Sequence, residues 1–427
     1  MISKSLLKEV LLSNEEQILG IAPTLMHRSV GGVMDLPRKT TVFYGVRRSG
    51  KTFLLYQRFL ANRETALYLD FEDDRLHGFT LQDFQSLQES FLELKPHLDG
   101  KPLVLLLDEV QNVDGWEKFC RRAVEREGHQ VMVSGSSSKI MPFEIATELR
   151  GRAQSIEVLP FSFKEFLRTK GIDSAKPTIL YGSRKSTLKR HCEEYLRWGG
   201  FPEVIFANND LSRSKLVREY LTAMFFRDLV ERYSISNIPL LDALSEKLLS
   251  SFSTKVSLGA VAKQFKNLFP FSKDSLYQLY KCFQMSMLIF EVRVFAESSY
   301  KRMRNPAKIY LADTSLGRRV TSADSGRLLE NLVYLELRRR GLEVFYYEAK
   351  RECDFIIKEE SGTLRPIQVC LELNESCIDR EVEGLTSAAK DLGSSEGLLI
   401  TLRDEQELTR DGIAIHVAPV WKWCLRP

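Results

Sequence analysis

The residues with the clearest chemistry lie between positions 45 and 52, where the sequence reads GVRRSGKT. This is the spacing G-x-x-x-x-G-K-T, and it stands between a β-rich run, Thr40 to Tyr44, and an apolar helical pattern, Phe53 to Leu60. Glycines at both ends let backbone N–H groups curl around an anion, and the N-terminus of the helix adds its dipole. We therefore predict a loop that binds the phosphates of a nucleotide through Gly45, Arg48, Ser49, Gly50, Lys51, Thr52 and Phe53.

Two side chains of this loop have distinct tasks. The Lys51 ammonium reaches the terminal phosphates, where it can also assist catalysis, and the Thr52 hydroxyl can coordinate Mg²⁺. ATP and Mg²⁺ are therefore the expected cofactors. A chance glycine-rich turn is the alternative, but the flanking strand and helix are the context that phosphate binding requires.

A pair of carboxylates follows a second apolar run. Leu103 to Leu107 fits a strand buried on both faces, and Asp108 and Glu109 come directly after it. Open α/β sheets bind ligands at this carboxyl edge of their strands. Asp108 would hold Mg²⁺ through water, and Glu109 would orient or deprotonate the water that attacks the γ-phosphate. The alternative is an ordinary strand end with two solvated acids.

Two further segments supply polar groups to the same region. Ser134 ends a strand and either touches the γ-phosphate or its attacking water, or caps the following helix. Arg150 and Arg152 precede the last strand, where one of them can reach the nucleotide of a neighbouring subunit as an arginine finger. A surface arginine pair is the other interpretation.

The elements that position these residues alternate between strands and helices. Strands are predicted at Ala66 to Asp70, Gln130 to Ser134 and Ser155 to Leu159, with helical stretches between them. This order predicts the α/β class, as an αβα sandwich built around a parallel sheet.

These segments resemble a known family. GVRRSGKT, LLLDEVQNVDGW, VSGSSSKIM and ELRGRAQSIEVLPFSFKEF are similar to the P-loop, Walker B, sensor and arginine segments of a prokaryotic AAA+ ATPase family whose members carry a C-terminal domain of unknown function. The resemblance continues through YLRWGGFPE and FRDLVERY, and so covers most of the chain. It implies an AAA+ ATPase core at residues 1–160 and a helical lid at 161–240. Candidates for a phosphate contact from this lid are Arg197, Arg218 and Arg227.

The middle of the chain is basic. Between Lys247 and Lys308 there are eleven basic and three acidic residues, a net charge of +8, whereas the whole chain carries +4. Helical patterns around a turn at Pro270, followed by a predicted β-ribbon, indicate a winged helix-turn-helix module at residues 241–325.

We expect this module to bind DNA. Its second helix would face the major groove with Lys273, Ser275, Gln278 and Lys281, and the ribbon would contact the backbone through Lys301, Arg302 and Arg304. We expect the aromatic side chains Tyr277, Tyr280 and Phe283 in its core. A module used for protein contacts or oligomerisation is the alternative.

Residues 326–427 show an α/β order that resembles the PD-(D/E)xK nuclease core. Glu330 lies on the first predicted helix and Asp354 opens a strand, as metal-binding carboxylates do in that core. Gln368 and Cys370 stand where the acidic residue and the lysine of the E-x-K triplet are expected. We therefore predict a nuclease-like domain that has lost its chemistry, and leave residual metal binding by Glu330 and Asp354 open.

Composition sets the remaining limits. A chain of 427 residues, 44% hydrophobic and 28% charged, is typical of globular proteins with two to four domains and excludes fibrous or disordered classes. The seven cysteines follow no disulfide or zinc spacing, and no apolar run is long enough to cross a bilayer. A cytoplasmic protein without membrane contact is expected.

Together these features predict a Mg-dependent ATPase that works as a homo-oligomer, in which Arg150 or Arg152 completes the site of a neighbouring subunit. The nucleotide state would rearrange the domains and change their contact with DNA. Two alternatives remain: a nucleotide-gated switch of protein assembly that does not involve DNA, and an ATP-dependent nuclease.

Overall fold

The computed structural model describes residues 2–28, 30, 36, 38–135, 140–149, 151–174, 184–317, 325–359, 361–375 and 378–426. The chain divides into two compact units, Met1–Leu159 and Pro160–Pro427. Each unit is considered by itself. Within the described ranges, no helix is both long enough and apolar enough to cross a membrane.

The first unit is built on a five-stranded sheet in which every neighbouring pair is parallel, with the strand order β2-β3-β4-β1-β5. The strands are β1 Thr40–Tyr44, β2 Ala66–Asp70, β3 Val104–Asp108, β4 Gln130–Gly135 and β5 Ala153–Glu157. The helices are α1 Lys4–Ile21, α2 Lys51–Ala61, α3 Asp83–Leu94, α4 Trp116–Glu125 and α5 Pro142–Glu148. The predicted α/β fold with a parallel sheet is confirmed.

Both faces of this sheet are buried. Leu105 and Leu107 on β3 belong to a core that also contains residues of α1, α3 and α4, whereas Leu106 packs with residues of α2 in a second core. Successive side chains of a strand point to opposite faces, so the continuous apolar run of β3 fills both cores. The carboxyl ends of the strands remain for polar groups.

The second unit begins with helices and continues into a mixed sheet. Its helices are α6 Phe163–Thr169, α7 Arg184–Trp198, α8 Pro202–Phe206, α9 Asp210–Ala223, α10 Ile238–Ser250, α11 Leu258–Phe265, α12 Lys273–Met285, α13 Ser299–Arg304, α14 Thr314–Gly317, α15 Ser325–Arg339, α16 Ile378–Leu392 and α17 Val420–Trp423, with a π-helix at Met224–Glu231. Its strands are β6 Thr254–Val256, β7 Ile289–Val294, β8 Ala307–Leu311, β9 Glu343–Glu348, β10 Glu352–Lys358, β11 Leu364–Val369, β12 Glu396–Thr401, β13 Gln406–Arg410 and β14 Ile413–Pro419.

One nine-stranded sheet runs through this unit in the order β13-β14-β12-β11-β10-β9-β7-β8-β6. Strand β7 pairs in parallel with β9, so the sheet continues across position 325, where the sequence predicted a change of module. The two predicted segments, 241–325 and 326–427, therefore share one set of backbone hydrogen bonds.

Three expectations about the basic segment need correction. The ribbon strands β7 and β8 are joined through the short helix α13, which carries Lys301, Arg302 and Arg304. Tyr277 is exposed, because it lies one position beyond the buried stripe of α12 formed by Leu276, Leu279, Tyr280 and Phe283. Lys308 is only 3% exposed and pairs with carboxylates, so it is not part of a basic surface.

Candidate active site

The phosphate-binding loop connects the end of β1 to the start of α2. Arg48 has a φ of 66° and Gly50 a φ of 94°, so the backbone turns through the left-handed region at two places within three residues. Gly50 caps α2 without a side chain, which leaves the first N–H groups of that helix directed toward the loop. Arg48 is a non-glycine residue in this region, and such residues concentrate at functional sites.

Gly45 lies where two backbone segments approach each other closely. A Cβ atom at this position would lie 2.2 Å from the carbonyl oxygen of Val158, just after β5. Because the obstacle is backbone, no side-chain movement relieves it. The first glycine of the motif is therefore required by packing as well as by the curve of the loop.

The interior of the loop holds polar groups that fit a phosphate. The Lys51 ammonium, 5% exposed, donates to the carbonyl oxygens of Gly45 and Val46 at 3.1 Å each. The Ser49 hydroxyl is fully buried and has no hydrogen-bond partner among the described residues. A buried hydroxyl without a partner is costly unless a ligand satisfies it. Phe53, on the first turn of α2, is half-exposed and packs on Tyr56.

Asp108 is the centre of a hydrogen-bond network at the end of β3. Its carboxylate, 1% exposed, accepts from the hydroxyls of Ser134 and Tyr68, the latter at 3.0 Å, and bonds to Thr52. Burial and the adjacent Glu109 raise the pKa of Asp108 above its ordinary value. Carboxylate and hydroxyl oxygens are the ligands that Mg²⁺ prefers, so Asp108 with Thr52 fits this ion.

Glu109 is held in an unusual backbone conformation beside this network. Its φ of 48° is left-handed, which is uncommon for a glutamate directly after a strand. The Gln111 side-chain amide donates to the Glu109 carboxylate at 2.5 Å. The turn and this contact fix the direction of the carboxylate at the edge of the sheet.

Ser134 lies within β4, between β3 and β1, and not at a helix cap. Its hydroxyl donates a hydrogen bond to Asp108, so Ser134 is part of the network around that carboxylate. The Arg152 side chain pairs with Glu125 of α4, and both are solvent-accessible. Arg150 lies outside the described residues, as do Ser136 and Ser137 of the predicted sensor segment.

Three residues of this region were not identified from the sequence. Tyr68 donates to Asp108, as described above, and Asp70 lies beside Asp108 in the register of β2 and β3. Burial raises the pKa of Asp70 to about 7, and the charge of Asp108 adds to this effect. The buried Arg28 guanidinium donates to the carbonyl oxygens of Ser49 and Leu159, at 2.5 and 3.0 Å, and so braces the loop.

Elsewhere, no group of three or more histidine, cysteine, aspartate and glutamate residues in the described part of the chain is arranged to hold a metal ion. An ion at the loop would instead draw on one carboxylate, one hydroxyl and the phosphates of its nucleotide.

Comparison with known families agrees with this geometry. The model of the AAA domain matches residues 37–167, which include the loop, Asp108 and Glu109. Two models described as domains of unknown function, DUF8612 and DUF4143, match residues 189–327 and 325–423. The protein therefore has an AAA-type P-loop ATPase domain followed by domains of unknown function.

Two proteins are similar to this chain over most of its length. It is 36% identical to an uncharacterized protein of Methanocaldococcus jannaschii, over 99% of this chain and 96% of that protein. The chain belongs to the same family as this archaeal protein. An uncharacterized protein of Haemophilus influenzae is 27% identical, over 89% of this chain and 93% of its own length. Among solved structures, a Walker-type ATPase of Pyrococcus abyssi covers 66% of this chain and 90% of its own, with 15% identity and a TM-score of 0.42.

Proposed function

We propose that the protein is a Mg-dependent ATPase in which the loop from Gly45 to Thr52 binds the nucleotide. The observation that carries this proposal is the meeting of three strand ends in one sheet: the loop after β1, Asp108 at the end of β3 and Ser134 near the end of β4. Nucleotide binding follows from the class of the domain, and the individual residue roles are inferred from these contacts.

Each residue of this group has a task in hydrolysis. The Lys51 ammonium exchanges loop carbonyls for phosphate oxygens, and the backbone N–H groups of the loop surround the phosphates. Thr52 and Asp108 would hold Mg²⁺, which neutralises phosphate charge when it is bound. Glu109 orients water for attack on the γ-phosphate, and Ser134 keeps Asp108 in place.

Two substitutions test the assignment. Lys51→Ala is expected to abolish nucleotide binding, measured with a fluorescent ATP analogue, because it removes the cation buried in the loop. Glu109→Gln is expected to retain binding and lose turnover by at least about 100-fold. Lys118→Ala, an exposed lysine on α4, is the matched control. Unchanged turnover in both site variants would show that the site is wrongly assigned.

We further propose a homo-oligomer in which Arg152 or Arg150 reaches the nucleotide of a neighbouring subunit. The pair of Arg152 with Glu125 supports a mobile role, since exposed ion pairs contribute at most about 1 kcal/mol and break easily. Arg152→Ala is expected to lower the turnover of the assembled protein without reducing ATP binding. Equal turnover of the wild-type protein and the Arg150→Ala, Arg152→Ala double variant would contradict the finger.

DNA is the proposed partner, and helix α12 offers the surface. Lys273, Tyr277, Gln278 and Lys281 are all exposed, and Lys273, Tyr277 and Lys281 follow one another at four-residue spacing on one face. Ser275 of the predicted set is instead engaged by the helix cap, where its N–H and hydroxyl both bond Ser272. A helix face with two cations and a stacking side chain fits a DNA groove.

Not every cation of the segment is available to such a partner. Lys255 pairs with Glu348 and Glu352, and Arg293 pairs with Glu291. The Arg302 guanidinium donates to the carbonyl oxygens of Ala296 and Glu297. Apart from the paired Arg293, the exposed cations of the segment are Lys263, Lys266, Lys273, Lys281, Lys301 and Arg304.

This difference provides a matched comparison. Lys273→Ala with Lys281→Ala is expected to weaken duplex binding and to reduce the slope of log affinity against log salt by about 1 for each lost phosphate contact. Arg293→Ala, in which the removed cation already has a partner, is expected to bind as the wild type does. ATP-dependent assembly that neither binds DNA nor responds to it would favour the protein-assembly switch.

In this proposal, nucleotide binding and hydrolysis rearrange the unit that carries α12. We place the protein in the reducing cytosol, which is consistent with six free cysteine thiols among the described residues.

A further inference from the structure

Lys308 is surrounded by a cluster of three acidic side chains in the second unit. It stands on β8 with its side chain 4% exposed. Its ammonium contacts Glu330 of α15 at 3.2 Å, Glu352 of β10 at 2.8 Å and Asp354 of β10 at 2.9 Å. An ammonium so deeply buried is stable only when carboxylates compensate it.

The carboxylates around this ammonium are held by other groups. The Tyr310 hydroxyl donates to Glu330 at 2.6 Å. The second oxygen of Asp354 accepts from the backbone N–H of Val369 at 3.0 Å, and the backbone N–H of Asp354 donates to Gln368 at 3.2 Å. Glu330 and Asp354 are therefore held in place by groups other than Lys308, and their oxygens point at its ammonium.

The group that these oxygens contact is a cation. Three carboxylate oxygens lie within 3.2 Å of the Lys308 Nζ, and this geometry is that of an ammonium paired with acids. Beside the cluster lies a cleft of about 500 Å³. Its lining includes the carboxylates of the cluster together with four basic residues: Arg327, Lys350, Arg351 and Arg380. A divalent ion entering from this cleft would meet carboxylate oxygens that already bind a positive charge.

We propose that Lys308 is the resident cation of this cluster, taking the place among Glu330, Glu352 and Asp354 that a divalent metal ion would need. The wild-type cleft then binds no divalent ion, because such an ion would lie within a few ångströms of an ammonium that the same oxygens hold. Removal of the ammonium uncovers a divalent-cation site made of oxygen ligands, the type that Mn²⁺ accepts.

The test uses the full-length protein and Mn²⁺ as the probe. Mn²⁺ binding is measured by calorimetry, in the absence of nucleotide, for the wild type, Lys308→Met and Lys308→Arg. Methionine has a similar length without charge, and arginine keeps the charge. Lys255→Met is the matched control. This lysine also pairs with Glu352, but it is more exposed and its second partner is Glu348, not Asp354.

We expect Lys308→Met to gain a Mn²⁺ site that the wild type lacks, because the variant leaves the buried carboxylates without a cation. Adding Asp354→Asn should remove it, which separates it from any binding at the nucleotide loop. Lys308→Arg and Lys255→Met should behave as the wild type does. A folded Lys308→Met protein that gains no such site would overturn the proposal.

A second measurement applies even if Lys308→Met does not fold. If the uncompensated carboxylates prevent folding, millimolar Mn²⁺ added during refolding should restore the folded protein, measured by circular dichroism. Independently, Mn²⁺ binding by the wild type is expected to be the same with and without Asp354→Asn. Wild-type binding that disappears with this substitution would show that the cleft is a natural metal site, and the proposal would be wrong.

Discussion

Tyr68→Phe isolates one hydrogen bond in the proposed ATPase site. The Tyr68 hydroxyl donates to the Asp108 carboxylate at 3.0 Å, and the residue is 3% exposed. Its ring packs edge-on against Tyr56, with 5.1 Å between the ring centroids. Phenylalanine preserves this packing and removes only the hydroxyl, which bonds Asp108 and also Tyr56, so a control must separate the two bonds.

The size of the effect follows from the nature of the acceptor. A hydrogen bond to a charged group contributes about 1.5–3 kcal/mol, which corresponds to a factor of about 10 to 100 in an equilibrium constant. Asp108 keeps its contacts with Ser134 and Thr52, so we expect the lower part of this range. Loss of the donor favours the protonated carboxyl and leaves its orientation less restricted. We therefore expect the Mg²⁺ concentration at half-maximal ATPase rate to rise about tenfold.

The assay is the steady-state ATPase rate at saturating ATP over a series of Mg²⁺ concentrations. Tyr56→Phe is the matched control, because it removes the hydrogen bond between the two tyrosine hydroxyls and keeps the bond from Tyr68 to Asp108. We expect that control to follow the wild-type curve. If Tyr68→Phe shifts the Mg²⁺ dependence by less than twofold, Asp108 does not hold the ion in the way we describe.

Two further predictions concern stability. Buried Asp313 accepts hydrogen bonds from the backbone N–H groups of Gly200 and Ser315, at 2.6 and 2.9 Å. Asp313→Ala should lower the free energy of unfolding in urea by about 2–6 kcal/mol, because each of the two backbone N–H groups left without an acceptor costs about 1–3 kcal/mol. Asp313→Asn should lower it by less. Burial lowers the pKa of His129, whose Nδ1 accepts from the Leu103 N–H at 3.2 Å. As the pH falls, the His129 side chain takes up its proton in the unfolded chain before it does so in the folded protein. The free energy of unfolding should therefore decrease below about pH 6.5. In urea titrations His129→Gln should weaken this pH dependence, and an unchanged dependence would exclude His129 as its source.

The nucleotide loop could be predicted because its information is local. Eight consecutive residues define it, and the apolar runs of β1 and β3 are long enough to identify their strands. Tyr68 and Arg28 could not be found in this way. In the sequence Tyr68 belongs to the apolar pattern of β2. Its hydroxyl reaches Asp108, 40 residues later, only because β2 pairs with β3.

Weak patterns explain the elements that were missed. Strand β13 has four exposed side chains among its five residues, so it lacks the alternation that identifies a half-buried strand. Strand β6 has only three residues, too few to show a period of two. Both strands depend on pairing with a neighbour, β14 and β8 respectively, which a local pattern does not contain.

The net charge of the basic segment differs from the charge that its surface presents. The basic segment reached +8 partly through Lys255 and Lys308, whose partners Glu348, Glu352 and Asp354 lie beyond its end. Folding therefore cancels part of the excess and concentrates the rest on α11, α12 and α13. The proposed DNA surface becomes smaller and better defined than the net charge implied.

The same long-range pairing changes how the C-terminal cluster should be understood. The sequence indicated lost chemistry because Gln368 and Cys370 replace a carboxylate and a lysine within one short triplet. A lysine is nevertheless present at the carboxylates: Lys308 is 22 residues from Glu330 and 46 from Asp354. It binds the oxygens that a metal would need, so its presence argues against metal-dependent cleavage as strongly as the altered triplet does. An acidic cluster that Lys308 already pairs with agrees better with the proposed partner-binding role of this unit than with metal-dependent cleavage.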